Sequence, residues 1–207
     1  MSRGCDVTDG GVNCLERIKC CRPCFKIKGA APPTSTLTFG TKFTKEHSET
    51  SDGPDEFRAM YRRGKRLAGY CRGKLDRLAD FTNREHCKSE TFSGVDHEIA
   101  YHFKATFTPH VTRKWEVRMG GDYGRGAILL IDGQTWANRA GENLNWGGRF
   151  DSTSVIHGEA RSIQAFKKHT IEVYGLEGVG DGKQTMQINF GQGWMDATPG
   201  AFDLGSK

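Results

Sequence analysis

The chain has 207 residues, of which 27 are Gly and 6 are Pro, with 36% hydrophobic and 27% charged residues. This is ordinary globular composition with an excess of glycine, and it excludes collagen, coiled coil and wholesale disorder. No run approaches the roughly 18 apolar residues of a membrane-spanning helix, and the start lacks the apolar stretch of a secretory signal, so the sequence reads as neither a membrane protein nor visibly secreted.

The net charge of +5 is unevenly spread. Residues 1–92 carry 18 Lys+Arg against 12 Asp+Glu, whereas residues 93–207 carry 12 against 13. Attraction to an acidic protein surface, an acidic membrane or nucleic acid is therefore expected in the N-terminal part. All seven cysteines also lie there, from Cys5 to Cys87. An odd count without a signal peptide points to reduced thiols in an intracellular, cytoplasmic or cytoskeletal setting.

Taken along the chain, residues 1–55 read as a Cys-rich basic extension and linker, 56–92 as a basic helical segment and 93–207 as a β-sandwich domain. Residues 1–30 keep no period long enough to bury a face. The Pro-, Thr-, Ser- and Gly-rich run 31–55 has linker composition. From Phe57 to Leu78 the apolar positions Phe57, Met60, Tyr61, Leu67, Cys71, Leu75 and Leu78 recur at three and four, which predicts a helix. Gly64, Gly69 and Gly73 oppose it at about 1 kcal/mol each relative to Ala.

After Ser93 the period becomes two. Ile99, Tyr101, Phe103, Ala105 and Phe107 alternate with His102, Lys104 and Thr106, the pattern of a half-buried strand. Further strands are expected around Trp115–Met119, 127–131, 155–163, 170–176 and Met186–Phe190. Short strands broken by Gly, Asp and Asn turns, without helical interludes, predict a mainly β chain: an antiparallel β-sandwich or jelly roll behind a basic, partly helical extension. Residues 98–192 are expected to fold without residues 1–92.

Two segments, GGDYGRGAILLIDGQTW and KKHTIEVYGLEG, carry Asp122 and Gly124, then Ile131, Asp132 and Gly133, then His169, Ile171, Val173 and Tyr174. Over about residues 98–192 this pattern resembles the PA14 domain and related lectin-like β-sandwiches. The resemblance implies a sugar-binding module that holds calcium through two adjacent Asp residues. Here Gly121 precedes Asp122, and Lys168 stands where a Gly is usual before the His. Calcium is accordingly expected to change stability little. Read without the resemblance, Asp132-Gly133 between apolar runs is a hairpin turn.

Calcium takes six or more oxygens, and Asp122, Asp151, Asp181 and Glu177 are the loop acids able to converge at one end of a sandwich. Trp136, Trp146 and Trp194 lie in Gly/Asn-rich segments and read either as a platform for a sugar ring or as plugs at the open ends, with the plug favoured. No nucleophile elbow, zinc helix or phosphate loop is present, which points away from catalysis. His97 and His102 fall on opposite faces of their strand and do not share a metal.

Cys14, Cys20, Cys21 and Cys24 lie within eleven residues. Cys21-Arg-Pro-Cys24 has zinc-ligand spacing, but Cys14 and Cys20 pair poorly. Cys20, Cys21 and Cys24 among basic residues equally suit S-acylation, the one route to a membrane; inert thiols are the third reading. Residues 58–77 hold eight Lys+Arg against one acid. Arg62, Arg63, Lys65 and Arg66 are the candidate contacts to an acidic partner, with nucleic acid behind protein for want of stacking aromatics.

Two functions compete. The first is a structural interaction protein that docks onto a large intracellular assembly through the sandwich and the basic extension. The second is a carbohydrate-binding module, with or without calcium, centred on Asp122, Asn143, Asn145 and Trp146. The cysteine usage and the single Asp tip the sequence reading to the first.

Overall fold

The computed structural model describes residues 35–43, 53–63, 71–87 and 97–204, together with the backbone of residues 7–8 and 11–12. Two compact units divide the chain, residues 1–32 and 33–207. The first contains an antiparallel pair, β1 (Val7–Thr8) and β2 (Gly11–Val12), in the stretch where the sequence showed no period.

The second unit is an antiparallel β-sandwich. One sheet has six strands in the order β4-β3-β5-β10-β7-β8, and the other has four in the order β12-β11-β6-β9. In the larger sheet β5 (His97–Phe107) and β10 (His169–Val179) are central. β7 (Gly126–Ile131) and β8 (Gln134–Ala140) flank β10, while β3 (Thr36–Phe43) and β4 (Cys71–Lys74) flank β5. The smaller sheet comprises β6 (Arg113–Gly121), β9 (Val155–Ile163), β11 (Gln184–Asn189) and β12 (Met195–Asp196).

Alternation dictates which face each strand buries. On β5 the residues Ile99, Tyr101, Phe103, Ala105 and Phe107 are buried toward the second sheet, as their period of two requires. They meet Trp115, Val117 and Met119 of β6 and Met186 and Ile188 of β11 in one continuous core. Trp115 is fully buried, stacked on Phe107 at 4.8 Å and on Phe202 at 6.0 Å. Phe202 comes from α3 (Pro199–Leu204), which closes one end. Such large rings dominate core burial, at roughly 1.5–3 kcal/mol each for large apolar side chains.

The sequence expectation errs between residues 31 and 92. The expected linker contains β3, which pairs with β5 from Thr36↔Thr106 to Phe43↔Ile99. The expected helix over 57–78 is instead α1 (Pro54–Arg63), and Cys71–Lys74 is a strand paired with β3. Pairing partners far away in sequence override local helical spacing. Gly73 shows why: a Cβ there would lie 2.8 Å from the Phe39 ring, so the close approach of β4 to β3 requires glycine. Residues 75–81 then form a bent, non-helical segment held by isolated bridges, with Leu78 N–H donating to Ala197 O and Phe81 N–H to Gln184 O. The sandwich thus includes β3 from Thr36, ahead of the boundary expected at 93.

α1 places Asp55 and Glu56 in its first turn and Arg62 and Arg63 in its last, complementing the helix dipole. Its buried Phe57 and Met60 pack on the outer face of the six-stranded sheet, against Ala100, Ile128, Leu130, Tyr174 and Leu176. α2 (Asn83–His86) follows residues 75–81, with Thr82 as N-cap accepting from Glu85 N–H. Cys71 and Cys87 form a disulfide with their Cα atoms 5.6 Å apart, which corrects the expectation that all seven thiols are reduced.

Candidate functional site

Three loops meet at one end of the sandwich: residues 122–125 between β6 and β7, 141–154 between β8 and β9, and 180–183 between β10 and β11. The first two are tied by an isolated bridge in which Tyr123 N–H donates to Leu144 O and Leu144 N–H to Tyr123 O, each at 3.0 Å. That bridge sets Asp122 alongside the Asn143–Asn145 segment. Leu144 is fully buried, so the alternating neighbours Asn143 and Asn145 are exposed. The third loop reaches Asp122 through Gly182, where a Cβ would lie only 2.0 Å from that of Asp122. Glycine is required there by the close approach.

Asp122 is partly buried, and burial raises its pKa. No hydrogen bond or ion pair within the described residues engages the side chains of Asp122, Asn143 or Asn145. Trp146, the fourth sequence candidate, is a plug. It is buried with its ring over Gly120, donates from Nε1 to Arg149 O at 2.9 Å and packs against Phe150. Trp136 is also buried, on β8 and not in a loop, donating to Glu159 O. Trp194 covers Arg118, whose guanidinium lies 4.2 Å from both the Trp194 and Phe150 rings and donates from Nε to Gln187 Oε1 at 2.9 Å. The sequence reading had no hold on this clamp, because its rings are far from Arg118 in the chain.

The acids proposed for calcium do not converge. Asp151 is paired with Arg149. Asp181 accepts from the backbone N–H of Asn83 and Arg84 and from the Tyr101 hydroxyl. Glu177 accepts from Gly124 N–H on one oxygen and Val179 N–H on the other. Of these four acids, Asp122 alone has neither oxygen hydrogen-bonded among the described residues, and no group of three His, Cys, Asp or Glu side chains among them is arranged for a metal. A six- to eight-oxygen calcium shell does not fit this donor set.

Glu177 braces the loop that carries Asp122. Burial raises its pKa to about 7, opposed by the backbone N–H of Gly124 and Val179 and aided by the neighbouring Asp122 charge. The folded state therefore holds this proton more tightly than the unfolded chain, so the contribution is present below the ordinary value of 4.5 and is lost as pH rises to about 7. At about 1.4 kcal/mol per unit, discounted for partial solvation, the loss is about 2 kcal/mol. Urea unfolding between pH 4 and 8 is expected to show this decline in the wild type and a flatter profile in Glu177→Gln. Parallel profiles would refute it.

The motif residues outside this end are structural. Asp132 and Gly133 both have positive φ, 49° and 79°, and form the β7–β8 turn expected of them. The Asp132 carboxylate also bonds His169 Nδ1 at 2.8 Å and accepts from Thr170 N–H, joining the two halves of the motif. Of the basic candidates, Arg62 and Arg63 are exposed on α1, while Lys65 and Arg66 lie outside the described residues. Cys20, Cys21 and Cys24 lie outside them as well.

No protein-family model matches the chain, and no curated protein matches it. Solved structures do. A PA14 sugar-binding domain from an RTX adhesin is 12% identical with a TM-score of 0.57, covering 81% of this chain and 97% of that one. The PA14 domain of the antifreeze protein MpAFP is 9% identical with a TM-score of 0.53, covering 83% and 93%. The Epithelial Adhesin 6 A domain from Candida glabrata, in complex with Galb1-3GlcNAc, is 10% identical with a TM-score of 0.52, covering 83% and 86%. The fold is a PA14-like β-sandwich.

Proposed function

On this PA14-like sandwich, we propose a non-catalytic carbohydrate-binding module whose ligand is held by Asp122, Asn143 and Asn145 without calcium. The observation that carries the reading is the Tyr123–Leu144 bridge, which gathers one carboxylate and two exposed amides, their side chains not hydrogen-bonded among the described residues, at one end of the sandwich. Carboxylates and amides are the groups that bond sugar hydroxyls, and loops held on a rigid sandwich are where binding residues concentrate. The sugar-binding adhesin domain and the glycan complex among the similar structures support the same choice.

The docking alternative loses support on two counts. The apolar face of α1 is already spent on the sheet, and the Cys71–Cys87 disulfide suits an oxidising compartment better than the cytoplasm. Immobilised Galb1-3GlcNAc and a panel of neutral oligosaccharides test the proposal, each with and without a chelator. At least one glycan is expected to bind in the presence of chelator, and Asn143→Ala with Asn145→Ala is expected to weaken it about tenfold or more, at about 1 kcal/mol per lost hydrogen bond. Binding that chelation abolishes, or that the two substitutions leave unchanged, would overturn it.

A further inference from the structure

The end of the sandwich opposite the candidate site is built from two turns, residues 108–112 between β5 and β6 and residues 164–168 between β9 and β10. The length of β6 separates the two ends, roughly 25–30 Å at the rise of a strand. The turns are tied to one another. Phe166 N–H donates to Pro109 O at 2.7 Å, and Ala165 N–H donates to Thr112 Oγ1 at 2.9 Å. Gln164 O lies 2.9 Å from His169 Nε2, which fixes the second turn to the start of β10.

This braced tip carries apolar surface in solvent. Scattered exposed apolar residues are ordinary, but two of the three large ones among the described residues, Phe166 and Val111, sit on these two turns. Phe166 is 72% exposed, with its ring edge to face with His110 at 6.0 Å. Its φ of 58° falls in the left-handed region, which favours Gly or Asn and which a bulky side chain rarely adopts. The hydrogen bonds to the first turn hold the backbone there, so the fold keeps a large ring in water at a position that glycine would fit better. Around it the charge has one sign. Residues 108–114 and 161–169 contain Arg113, Lys114, Arg161, Lys167 and Lys168 and no acid. Arg113 lies over the Phe190 ring and Arg161 over the Trp136 ring. Lys114, Lys167 and Lys168 are exposed and enter no ion pair among the described residues. The Asp132 carboxylate of the β7–β8 turn is already bonded to His169 and Thr170.

We propose that this tip docks on an anionic lipid surface, with Phe166 and Val111 entering the boundary between headgroups and acyl chains and Lys114, Lys167 and Lys168 lying on the lipid phosphates. Apolar area placed in that boundary and attraction of cations to anionic headgroups add to one another. An aromatic ring suits the boundary, and Lys keeps its ammonium at headgroup level while its stem follows the apolar part inward. A projecting apolar tip with cations beside it matches a lipid surface, which yields around it, better than a protein surface, which would need a pocket of the same shape. Docked in this way, the domain turns its Asp122 end away from the lipid. The inference stands on the tip alone and is independent of what the Asp122 end binds.

Co-sedimentation of the full chain with vesicles of mixed phosphatidylserine and phosphatidylcholine, or of phosphatidylcholine alone, is the test. The anionic vesicles are expected to bind about tenfold more tightly or better, with an affinity that falls as salt is raised. Phe166→Gly is expected to weaken that binding about tenfold without lowering the melting temperature, because glycine suits the positive φ. Lys167→Gln with Lys168→Gln is expected to weaken it at low salt by about fivefold per residue. Phe166→Trp is expected to add fluorescence that lipid brominated on its acyl chains quenches. Vesicle binding that Phe166→Gly leaves unchanged, as it would be if the basic N-terminal part alone held the lipid, overturns the proposal. So does emission of Phe166→Trp that brominated lipid quenches no more than it quenches the wild type. Vesicles that fail to bind, with polyglutamate that binds the wild type and not Phe166→Gly, give the tip to an acidic protein and overturn the lipid.

Discussion

Deletion of residues 1–96 is expected to unfold the sandwich, whereas deletion of residues 1–32 leaves a cooperative, β-rich domain. The longer deletion removes β3 and β4 and exposes the full length of β5 from Ile99 to Thr106 as an unpaired edge. It also removes Leu37, Phe39, Phe57, Met60, Leu75, Leu78 and Phe81, all of them buried. At roughly 1.5–3 kcal/mol per large apolar side chain, their loss alone matches or exceeds the 5–15 kcal/mol that stabilises a typical domain. The shorter deletion takes none of the strands of either large sheet. Far-UV dichroism and thermal melting of the two truncated proteins check this. A cooperative melt of 97–207 close to that of the whole chain would mean that β3 is dispensable.

Tyr123→Ala is the point substitution with the largest expected effect on both stability and the candidate site. Tyr123 is fully buried, its ring wedged between Gly121 and Gly175, where a Cβ would lie 2.3 Å and 2.2 Å from ring carbons. The hydroxyl is 3.4 Å from Gln184 Oε1, and burial pushes its pKa well above the usual value. Removing the ring leaves a cavity between backbones that are held by their ladders and cannot collapse, so about 3–5 kcal/mol is expected to be lost. For a domain of this size that lowers the melting temperature by roughly 6–20 °C. Because the lost ring seats the backbone that bridges Leu144, neutral-glycan binding should fall with it. Tyr123→Phe keeps the ring and gives up only one long hydrogen bond, so it is expected to cost no more than about 1.5 kcal/mol. If Tyr123→Ala melts like the wild type, the ring is not the wedge described here.

What local sequence determined is the region where period and turn chemistry agree. β9 spans 155–163, where a strand was expected, and Asp132-Gly133 turns where only positive φ closes a two-residue hairpin. The motif of Asp122, Asp132 and His169 pointed to the sandwich, although two of those three residues hold strands together and only Asp122 faces a candidate ligand. The alternation of Leu37, Phe39, Thr41 and Phe43 was present in the chain too, but Pro, Thr and Gly around it favoured a linker until β5 supplied its partner. Spacing at three and four from Phe57 to Leu78 described two different things, a helix face at Phe57 and Met60 and buried anchors of a non-helical, bridged segment at Leu75 and Leu78. Only the tertiary structure decided between them, because a strand is stabilised by pairing with residues distant in sequence while a helix bonds within itself. The same reason governs the candidate site. Asn143 and Asn145 become neighbours of Asp122 through a single bridge, and that relation is not encoded in the spacing of the residues along the chain.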